Sequence, residues 1–337
     1  MTEDARHASS TPLLRNPIGF LLVPQFAVIA LASAIEPLRI ANRYLRQPYR
    51  WQLLSADGRA VVDDNGIAIQ PHAAMADAEP LGSLIVCADV APERHYTREL
   101  RRWLHALDRS GATLGALDTG VFLLARAGLL DGCRVTTHWE VAEAFRERFP
   151  RIAVAQTLFE SDRRRLTCAG GTAALDMMLH AIAADHGATL ANRVAEHCLH
   201  ERIRSGGAAQ RMALPLRTRI HHPRLVRAVQ MLEETLDRPV PNDELAAGVA
   251  LSVRQLLRLF SQHLGEGPAQ YHRRVRLEHA RTLLRGTATT VRDAAVAAGF
   301  ESVPHFCRSY RAAYGRSPGV DRRADGGARP LVRDRPA

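Results

Sequence analysis

One carboxylate near the middle of the chain stands where a predicted strand meets a predicted helix. Asp118 lies in the segment GALDTGVFLLA at 115–125, which is typical of a strand end, a tight turn and a helix start. In a doubly wound sheet this turn is the position of a nucleophile elbow, and the helix N-terminus beside it favours negative charge. Two roles are open to Asp118: it contacts a ligand in a cleft, or it caps the helix that begins at Thr119.

Further side chains could complete a ligand site around this turn. If Glu36 shares a cleft with Asp118, the two carboxylates create a negative site, and His138 and Trp139 in the segment TTHWE could add a cation–π contact. Such a site suits a cationic ligand. In the alternative, Trp139 belongs to the core. The predicted ligand-binding residues are Glu36, Asp118, Thr119, His138 and Trp139.

The spacing of cysteine and histidine indicates neither a metal site nor a disulfide framework. The five cysteines form no CxxC pair, and Cys87 and Cys168, near predicted strand ends, are expected to be small buried packing residues. His197 and His200 lie three apart on a predicted helix without a third ligand nearby. No metal or cofactor is therefore predicted, and a reducing cytoplasm fits the thiols. The uncharged run 16–35 leaves open an export signal or a strand, a turn and an amphipathic helix.

The positive charge of the 337-residue chain is concentrated in its last third. Residues 1–204 carry 23 arginines and 23 acidic residues, whereas residues 205–337 carry 22 arginines and 12 acidic residues. The length and the 46% content of apolar residues predict two globular domains. The excess charge in the second part indicates a polyanionic partner, nucleic acid above all.

This basic part contains an internal repeat. Residues 243–268 match residues 293–318 at an offset of fifty positions, with seven identities in twenty-six ungapped positions. Each copy predicts a short helix, a turn and a second helix capped by serine, the unit that places its second helix in the DNA major groove. A plain helical bundle is the alternative, and the matched pair Arg258 and Arg308 could contact phosphate or brace the fold. The predicted DNA-binding residues are Ser252, Val253, Arg254, Gln255 and Arg258 in the first copy and Ser302, His305 and Arg308 in the second.

The elements around these sites predict an α/β doubly wound parallel sheet followed by an all-α domain with two helix-turn-helix units. Short apolar runs alternate with helical stretches, which favours a parallel sheet covered on both faces. The predicted strands are 18–23, 51–55, 83–87, 112–117 and 165–168, and the predicted helices are 27–45, 95–109, 119–128, 138–148, 170–185 and 189–203. The predicted organisation is a disordered N-terminus (1–16), a ligand-sensing domain (17–204), a linker (205–221), a DNA-binding domain (222–320) and a disordered tail (321–337).

Two families resemble these two parts. The stretches DELAAGVALSVRQLLRLF and AVAAGFESVPHFCRSYRAAYGRSP are similar to the AraC/XylS DNA-binding domain over about 222–320, although Pro304 stands in the first turn of the second recognition helix. The elbow, IEPLRIANR, TTHWE and TCAGGTAALDMMLH resemble the ThiJ/PfpI domain, of the flavodoxin-like, class I glutamine-amidotransferase-like fold, as found ahead of AraC units in GlxA-type regulators.

The resemblance implies a bacterial transcription regulator, with an activator expected, that responds to a small metabolite such as arginine, carnitine or glycine betaine. Its implied partners are a double-stranded DNA operator, RNA polymerase, the inducer and a second copy of the chain, and no membrane is expected. Enzymes of the superfamily have a cysteine at the elbow, where this chain has Asp118, so no catalysis is predicted. The alternatives are a hydrolase or glyoxalase fused to a DNA anchor and a sequence-tolerant DNA binder.

Overall fold

The chain folds into two compact units, the first ending at Gln210 and the second beginning at Arg211. The computed structural model describes residues 12–212, 214–215, 220, 222–286 and 289–324. Parts of three predicted segments lie outside the described residues: 1–11 of the expected disordered N-terminus (1–16), 213, 216–219 and 221 of the expected linker (205–221), and 325–337 of the expected tail (321–337). Within the described residues no helix combines the length and apolar character needed to cross a bilayer.

The first unit is built on a seven-stranded sheet. Its order is β10-β11-β7-β6-β1-β2-β5, and all neighbours are parallel except β10 and β11. Two small pairs, β3 with β4 and β8 with β9, stand beside it. The strands are β1 (Ile18–Leu22), β2 (Trp51–Ser55), β3 (Val61–Val62), β4 (Ala68–Ile69), β5 (Ala73–Ala74), β6 (Ser83–Ala88), β7 (Thr113–Asp118), β8 (Arg134–Thr136), β9 (Ala153–Ala155), β10 (Phe159–Asp162) and β11 (Arg165–Cys168).

Six helices cover both faces of this sheet, which confirms the predicted doubly wound fold. They are α1 (Val28–Ala41), α2 (Arg98–Arg109), α3 (Val121–Arg126), α4 (Ala142–Arg148), α5 (Ala173–His186) and α6 (Ala188–His197). Alternate residues of β6 enter two separate cores: Ile85 packs in the core that contains α1, α5 and α6, and Val86 in the core with α2, α3 and α4. A strand buried on both faces reads as a nearly continuous apolar run, as residues 84–88 of β6 do.

The predicted helix 189–203 is shorter in the structure. α6 ends at His197, and Leu199 adopts a left-handed conformation with φ 55°. The chain then remains on the first unit through residues 205–210, which the sequence assigns to a linker. Gly206 accepts a hydrogen bond from the Leu158 backbone (2.8 Å), and Ala209 pairs with Thr157. These contacts show that residues 205–210 belong to the first unit and not to the linker. The sequence does not reveal them, because single backbone hydrogen bonds to a distant segment leave no periodic pattern of side chains.

The second unit contains helices and no strand within its described residues. Its helices are α7 (Pro223–Glu234), α8 (Asn242–Gly248), α9 (Val253–Leu264), α10 (Pro268–Gly286), α11 (Val291–Ala297), α12 (Val303–Tyr314) and α13 (Pro318–Ala324). The long α10 contacts both helix-turn-helix units: Tyr271 packs against Phe260 of the first, and the Arg276 guanidinium stacks over Phe300 of the second. α13 extends beyond the predicted end of the domain because buried Asp321 accepts a hydrogen bond from the Tyr310 hydroxyl (2.7 Å).

The two helix-turn-helix units are similar but not identical in length. Ser252 caps α9 and Ser302 caps α12, and each of these helices ends on a glycine in the left-handed conformation. The bond from the Leu251 amide to the Ala246 carbonyl corresponds to the bond from Phe300 to Ala295, an offset of 49 residues, whereas the second helices correspond at fifty. The second turn therefore contains one extra residue, which the ungapped sequence match had concealed.

Candidate ligand site and DNA-binding surface

Asp118 is the last residue of β7 and adopts a left-handed conformation with φ 57°. It is 7% exposed. A Cβ atom on Gly170 would lie 2.8 Å from the Asp118 carboxyl carbon, so only glycine permits this approach. α3 begins after Gly120 and has no side-chain cap. Asp118 is thus a buried carboxylate at an elbow and is not the N-cap residue of α3.

Three other carboxylates act on Asp118, and together they form a group that we call the acidic cluster: Asp64, Asp89, Asp118 and Glu140. Asp89 follows the end of β6, whose Ala88 pairs with Asp118 in the sheet register. Burial, followed by repulsion from Asp89, Glu140 and Asp64, raises the pKa of Asp118 well above its usual range. Burial, and to a smaller extent repulsion from the Asp64 and Glu140 carboxylates, raises the pKa of Asp89 to about 6. Among the described residues, no ion pair joins these four carboxylates to a basic side chain.

The loop after β8 supplies the neighbouring side chains. The Thr137 hydroxyl donates a hydrogen bond to the Asp118 carbonyl (2.9 Å), and the Thr119 hydroxyl donates to the Asp89 carbonyl. His138 and Trp139 follow Thr137, with ring centroids 5.4 Å apart, and Trp139 is 37% exposed and so lies outside the core. Burial lowers the pKa of His138, against an opposing effect of Glu140, so the ring is favoured as neutral.

Glu36 lies apart from the acidic cluster. Its carboxylate accepts a hydrogen bond from the Arg39 Nε atom (2.8 Å), and this bond lowers the pKa of Glu36. The other charged groups that act on it are Arg43 and His197, and Asp118 is not among them. The structure thus brings together four of the five predicted ligand-site residues and leaves Glu36 on α1. The sequence missed Asp64, Asp89 and Glu140, although Asp89 could have been found because it directly follows a strand beside β7.

Neither buried thiol near this site is ionised. Burial raises the pKa of Cys168 to about 12 and also raises that of Cys87. Both side chains lie in the core as predicted. His200 pairs with the buried Asp176 (2.9 Å), and His197 contacts Arg43. In the described part of the chain, no group of three His, Cys, Asp or Glu side chains is placed to hold a metal ion.

The chain leaves the first unit through residues 204–210, which we call the exit segment; it is held at its start by α5 and at its end by the loop after β8. The Arg204 backbone amide and Nε atom donate to the Asp176 carboxylate (2.7 and 2.8 Å). The Gln210 amide nitrogen donates to the Thr137 and Thr157 carbonyls (2.9 and 2.8 Å) and to the Thr136 hydroxyl. Because Thr137 also bonds Asp118, only two hydrogen bonds separate the elbow from the last residue of the first unit.

In the second unit, α9 and α12 present basic faces. Arg254, Arg258 and Arg308 are exposed, and within the described residues none of them forms an ion pair. Helical spacing places Arg254, Leu257, Arg258 and Ser261 on one outward face of α9, which we call the α9 face. The equivalent positions of α12 are occupied by Pro304, Cys307, Arg308 and Arg311. Leu257, Ser261 and Arg311 were not among the predicted contacts.

Two predicted base readers have contacts within their own unit. The Gln255 side-chain oxygen accepts hydrogen bonds from the Ser252 backbone amide (2.9 Å) and hydroxyl (3.1 Å), so Gln255 completes a capping box. The His305 ring packs edge-on against Phe300 at 5.6 Å. Ser252 and Ser302 serve as helix caps, and Val253 is 38% exposed at the start of α9. The role of each residue on DNA stays a prediction.

Known proteins resemble both units. A helix-turn-helix domain family matches residues 245–324. The HTH-type transcriptional regulator GbdR of Pseudomonas aeruginosa is 43% identical over 324 residues, covering 95% of this chain and 88% of its own. The HTH-type transcriptional regulator GlxA of Rhizobium meliloti is 36% identical over 321 residues, covering 95% and 99%. The structure of a ThiJ/PfpI family protein from Pseudomonas syringae shares the fold at 20% identity, with a TM-score of 0.50 over 74% of this chain and 98% of that one.

A relative that is more than 40% identical over nearly the whole chain carries both units in the same order, and the helix-turn-helix match falls on the unit with the basic helices. These findings agree with the predicted families. The chain therefore belongs to the GlxA-type regulators of the AraC family, DNA-binding transcriptional regulators with a ThiJ/PfpI-like unit ahead of two helix-turn-helix units.

Proposed function

We propose that this regulator responds to a cationic metabolite that binds at the acidic cluster. The observation that carries the proposal is the convergence of four carboxylates at the carboxyl ends of β6 and β7, without a basic partner among the described residues. Ligands of open α/β sheets bind at this edge. Arginine, carnitine and glycine betaine, which the family resemblance implies, each carry a cationic group.

The electrostatics of the site favour a cation in a specific way. A buried carboxyl group beside like charges holds on to its proton, and a bound cation replaces this proton and restores the ionised form. The exposed Trp139 ring offers a cation–π contact beside the carboxylates, which suits a quaternary ammonium that has no hydrogen-bond donor. Ligand affinity should therefore rise with pH through the range near 6, where Asp89 ionises.

The exit segment provides the route to the DNA-binding unit. A ligand that contacts Asp118 and Glu140 acts on the loop after β8, which contains Glu140 and is bonded to the Asp118 carbonyl through Thr137, and Gln210 is bonded to the same loop at Thr137. A shift of the loop changes the hydrogen bonds that hold Gln210, the residue directly before the second unit. Gln210→Ala should leave ligand binding within about threefold of the native value but reduce the effect of ligand on operator affinity, since it removes hydrogen bonds worth about 1 kcal/mol each.

Thermal unfolding of the full chain tests the ligand class. Glycine betaine, L-carnitine and L-arginine are added to the native protein, to Asp118→Asn and to Glu36→Gln. A ligand at a hundred times its dissociation constant adds about 2.7 kcal/mol of stability, so the melting temperature should rise by several degrees in the native protein. In Asp118→Asn the ligand should no longer raise the melting temperature. In Glu36→Gln it should still do so, because in the native protein the Glu36 carboxylate pairs with Arg39. An equal rise in all three proteins would contradict a site at Asp118.

The remaining parts of the proposal concern assembly and chemistry. Two copies of the chain bind a double-stranded operator in the cytoplasm, and the bound dimer activates transcription by recruiting RNA polymerase.

No catalytic role is proposed, because the elbow residue is Asp118 and the thiols of Cys87 and Cys168 are buried and protonated. A hydrolase or glyoxalase needs a thiolate nucleophile. Incubation of the full chain with methylglyoxal and with amide substrates tests this part, and turnover above buffer would overturn it.

A further inference from the structure

The α9 face carries an apolar side chain at its centre that the arginine contacts leave unexplained. Leu257 is 41% exposed, three residues after Arg254 and one residue before Arg258. Val253, 38% exposed, lies one turn earlier and continues the apolar surface. The adjacent residues Leu256 and Phe260 are fully buried, so the core of this unit does not require an exposed leucine at 257.

We propose that Leu257, with Val253 beside it, contacts the methyl group of a thymine and makes the first helix-turn-helix unit specific for a T·A pair at that position. Thymine is the base that presents an apolar group at the major-groove edge. The occupant is duplex DNA, since Leu257 lies between two exposed arginines that make no ion pair among the described residues. A partner that covers this face must combine negative charge with an apolar group, as a thymine between phosphates does.

The second unit lacks the same contact. Cys307 occupies the position equivalent to Leu257, and it is smaller and half-buried. Pro304 stands where the first unit has Arg254, so one of the two flanking charges is missing as well. Thymine recognition by an aliphatic side chain is therefore a property of the first unit, and Cys307→Ala is a matched control on the same kind of helix.

Removal of single methyl groups from the operator tests the proposal. A preferred sequence is selected in vitro with the full chain, and the base pairs read by α9 are located as those whose preference is lost in Arg254→Ala. Each thymine among them is then replaced by deoxyuridine, which removes only the methyl group. At one or two positions the native protein should bind three- to fivefold more weakly, the effect of burying roughly one methyl group.

Leu257→Ala should bind the thymine and deoxyuridine operators equally, near the affinity of the native protein for the deoxyuridine operator. Leu257→Gln, which keeps the length of the side chain, should also lose the discrimination, and Cys307→Ala should retain it. Circular dichroism confirms the helical fold of each variant. The proposal is overturned if no thymine in this half of the site depends on its methyl group, if Leu257→Ala keeps the full discrimination, or if no sequence is selected. In these cases another partner, such as an apolar surface of RNA polymerase, covers Leu257.

Discussion

The acidic cluster of the first unit and the α9 face of the second both hold charges of one sign without opposite partners among the described residues, yet they differ in hydration. Asp118 is 7% exposed, and its pKa is raised first by burial and then by its acidic neighbours. Arg254 and Arg258 are exposed and keep their water. A buried carboxyl group resists ionisation until a cation binds, whereas an exposed guanidinium stays charged and hydrated without a partner at little cost in free energy.

This difference in hydration should separate the two binding events experimentally. Charges in a buried site act at short range, so their effects depend on protonation more than on ionic strength. Charges on an exposed helix act on a whole phosphate backbone and release counterions when DNA binds. We therefore expect ligand binding to depend on pH and DNA binding to depend on salt.

The largest expected effect is the salt dependence of operator binding. Between about 50 and 200 mM salt, the affinity should fall roughly a thousandfold, as for a protein that makes about six phosphate contacts. Ligand affinity, followed by the melting temperature at the same salt concentrations, should change less than about threefold because Asp118 is buried. Fluorescence anisotropy with a labelled duplex measures the first quantity. If ligand affinity and operator affinity depended on salt to a similar extent, the proposed difference between the two sites would be wrong.

The next effect concerns the stability of the first unit. The folded-state pKa of Asp89 is raised to about 6, so the stabilising neutral form is fully present below the unfolded pKa near 4 and is lost as the pH rises through 6. The loss should amount to about 2 to 3 kcal/mol between pH 4.5 and 8. All three tryptophans, Trp51, Trp103 and Trp139, belong to the first unit, so their fluorescence during urea unfolding reports on this unit.

Asp89→Asn provides the test, with the exposed Asp77→Asn as its control. The amide cannot ionise, so Asp89→Asn should be more stable than the native protein at pH 8 and should show a flatter pH profile. Asp77→Asn should follow the native curve. If Asp89→Asn were instead destabilised at pH 8, the Asp89 carboxylate would have a stabilising partner, and the description of the acidic cluster as unpaired would be wrong.

A smaller effect is expected for the exposed arginines taken singly. Arg254→Ala should weaken operator binding by about 1 to 3 kcal/mol and relax the preference at one or two base pairs. Arg308→Ala should change a separate region, about one turn of the DNA away, because the two units enter successive grooves. Footprints and selected sequences for the two variants measure this. Changes at the same base pairs would refute the model of two separate readers.

The sequence predicted those features that repeat or extend over several residues. The strands β2 and β11 have their predicted bounds, although each mixes apolar with polar residues, as WQLLS and RLTC. Strands of two residues, such as β3 and β4, are too short to show a recognisable pattern of apolar and polar residues. The helix-turn-helix repeat was recognised from matched side chains, but the extra residue in the second turn could be found only from the hydrogen bonds of the backbone.

The site was predicted in part for a related reason. Asp118 and the TTHWE loop have local signals, a strand end followed by a turn, and Glu140 is the last residue of that loop, whereas Asp64 reaches the cluster through tertiary folding. Glu36 was predicted from its charge and from the IEPLRIANR motif of the family resemblance, and its neighbour Arg39 three residues later on α1 is a partner that the helical spacing could have shown. Gln210 was assigned to a linker because its partners, Thr137 and Thr157, are distant in sequence.

The smallest expected effect separates capping from base reading on α9 itself. Gln255 was predicted to bind DNA, and a glutamine that reads adenine uses both the oxygen and the nitrogen of its amide. In the structure the oxygen accepts two hydrogen bonds from Ser252. If the capping box persists on DNA, Gln255→Ala should lower the stability of the second unit by about 0.5 to 1 kcal/mol and leave the selected operator sequence unchanged. Gln255→Glu, which preserves the acceptor, should restore most of the stability. Arg254→Ala is the positive control for a change in the selected sequence. If Gln255→Ala lost a preference for adenine, the capping box would have to open when α9 enters the groove.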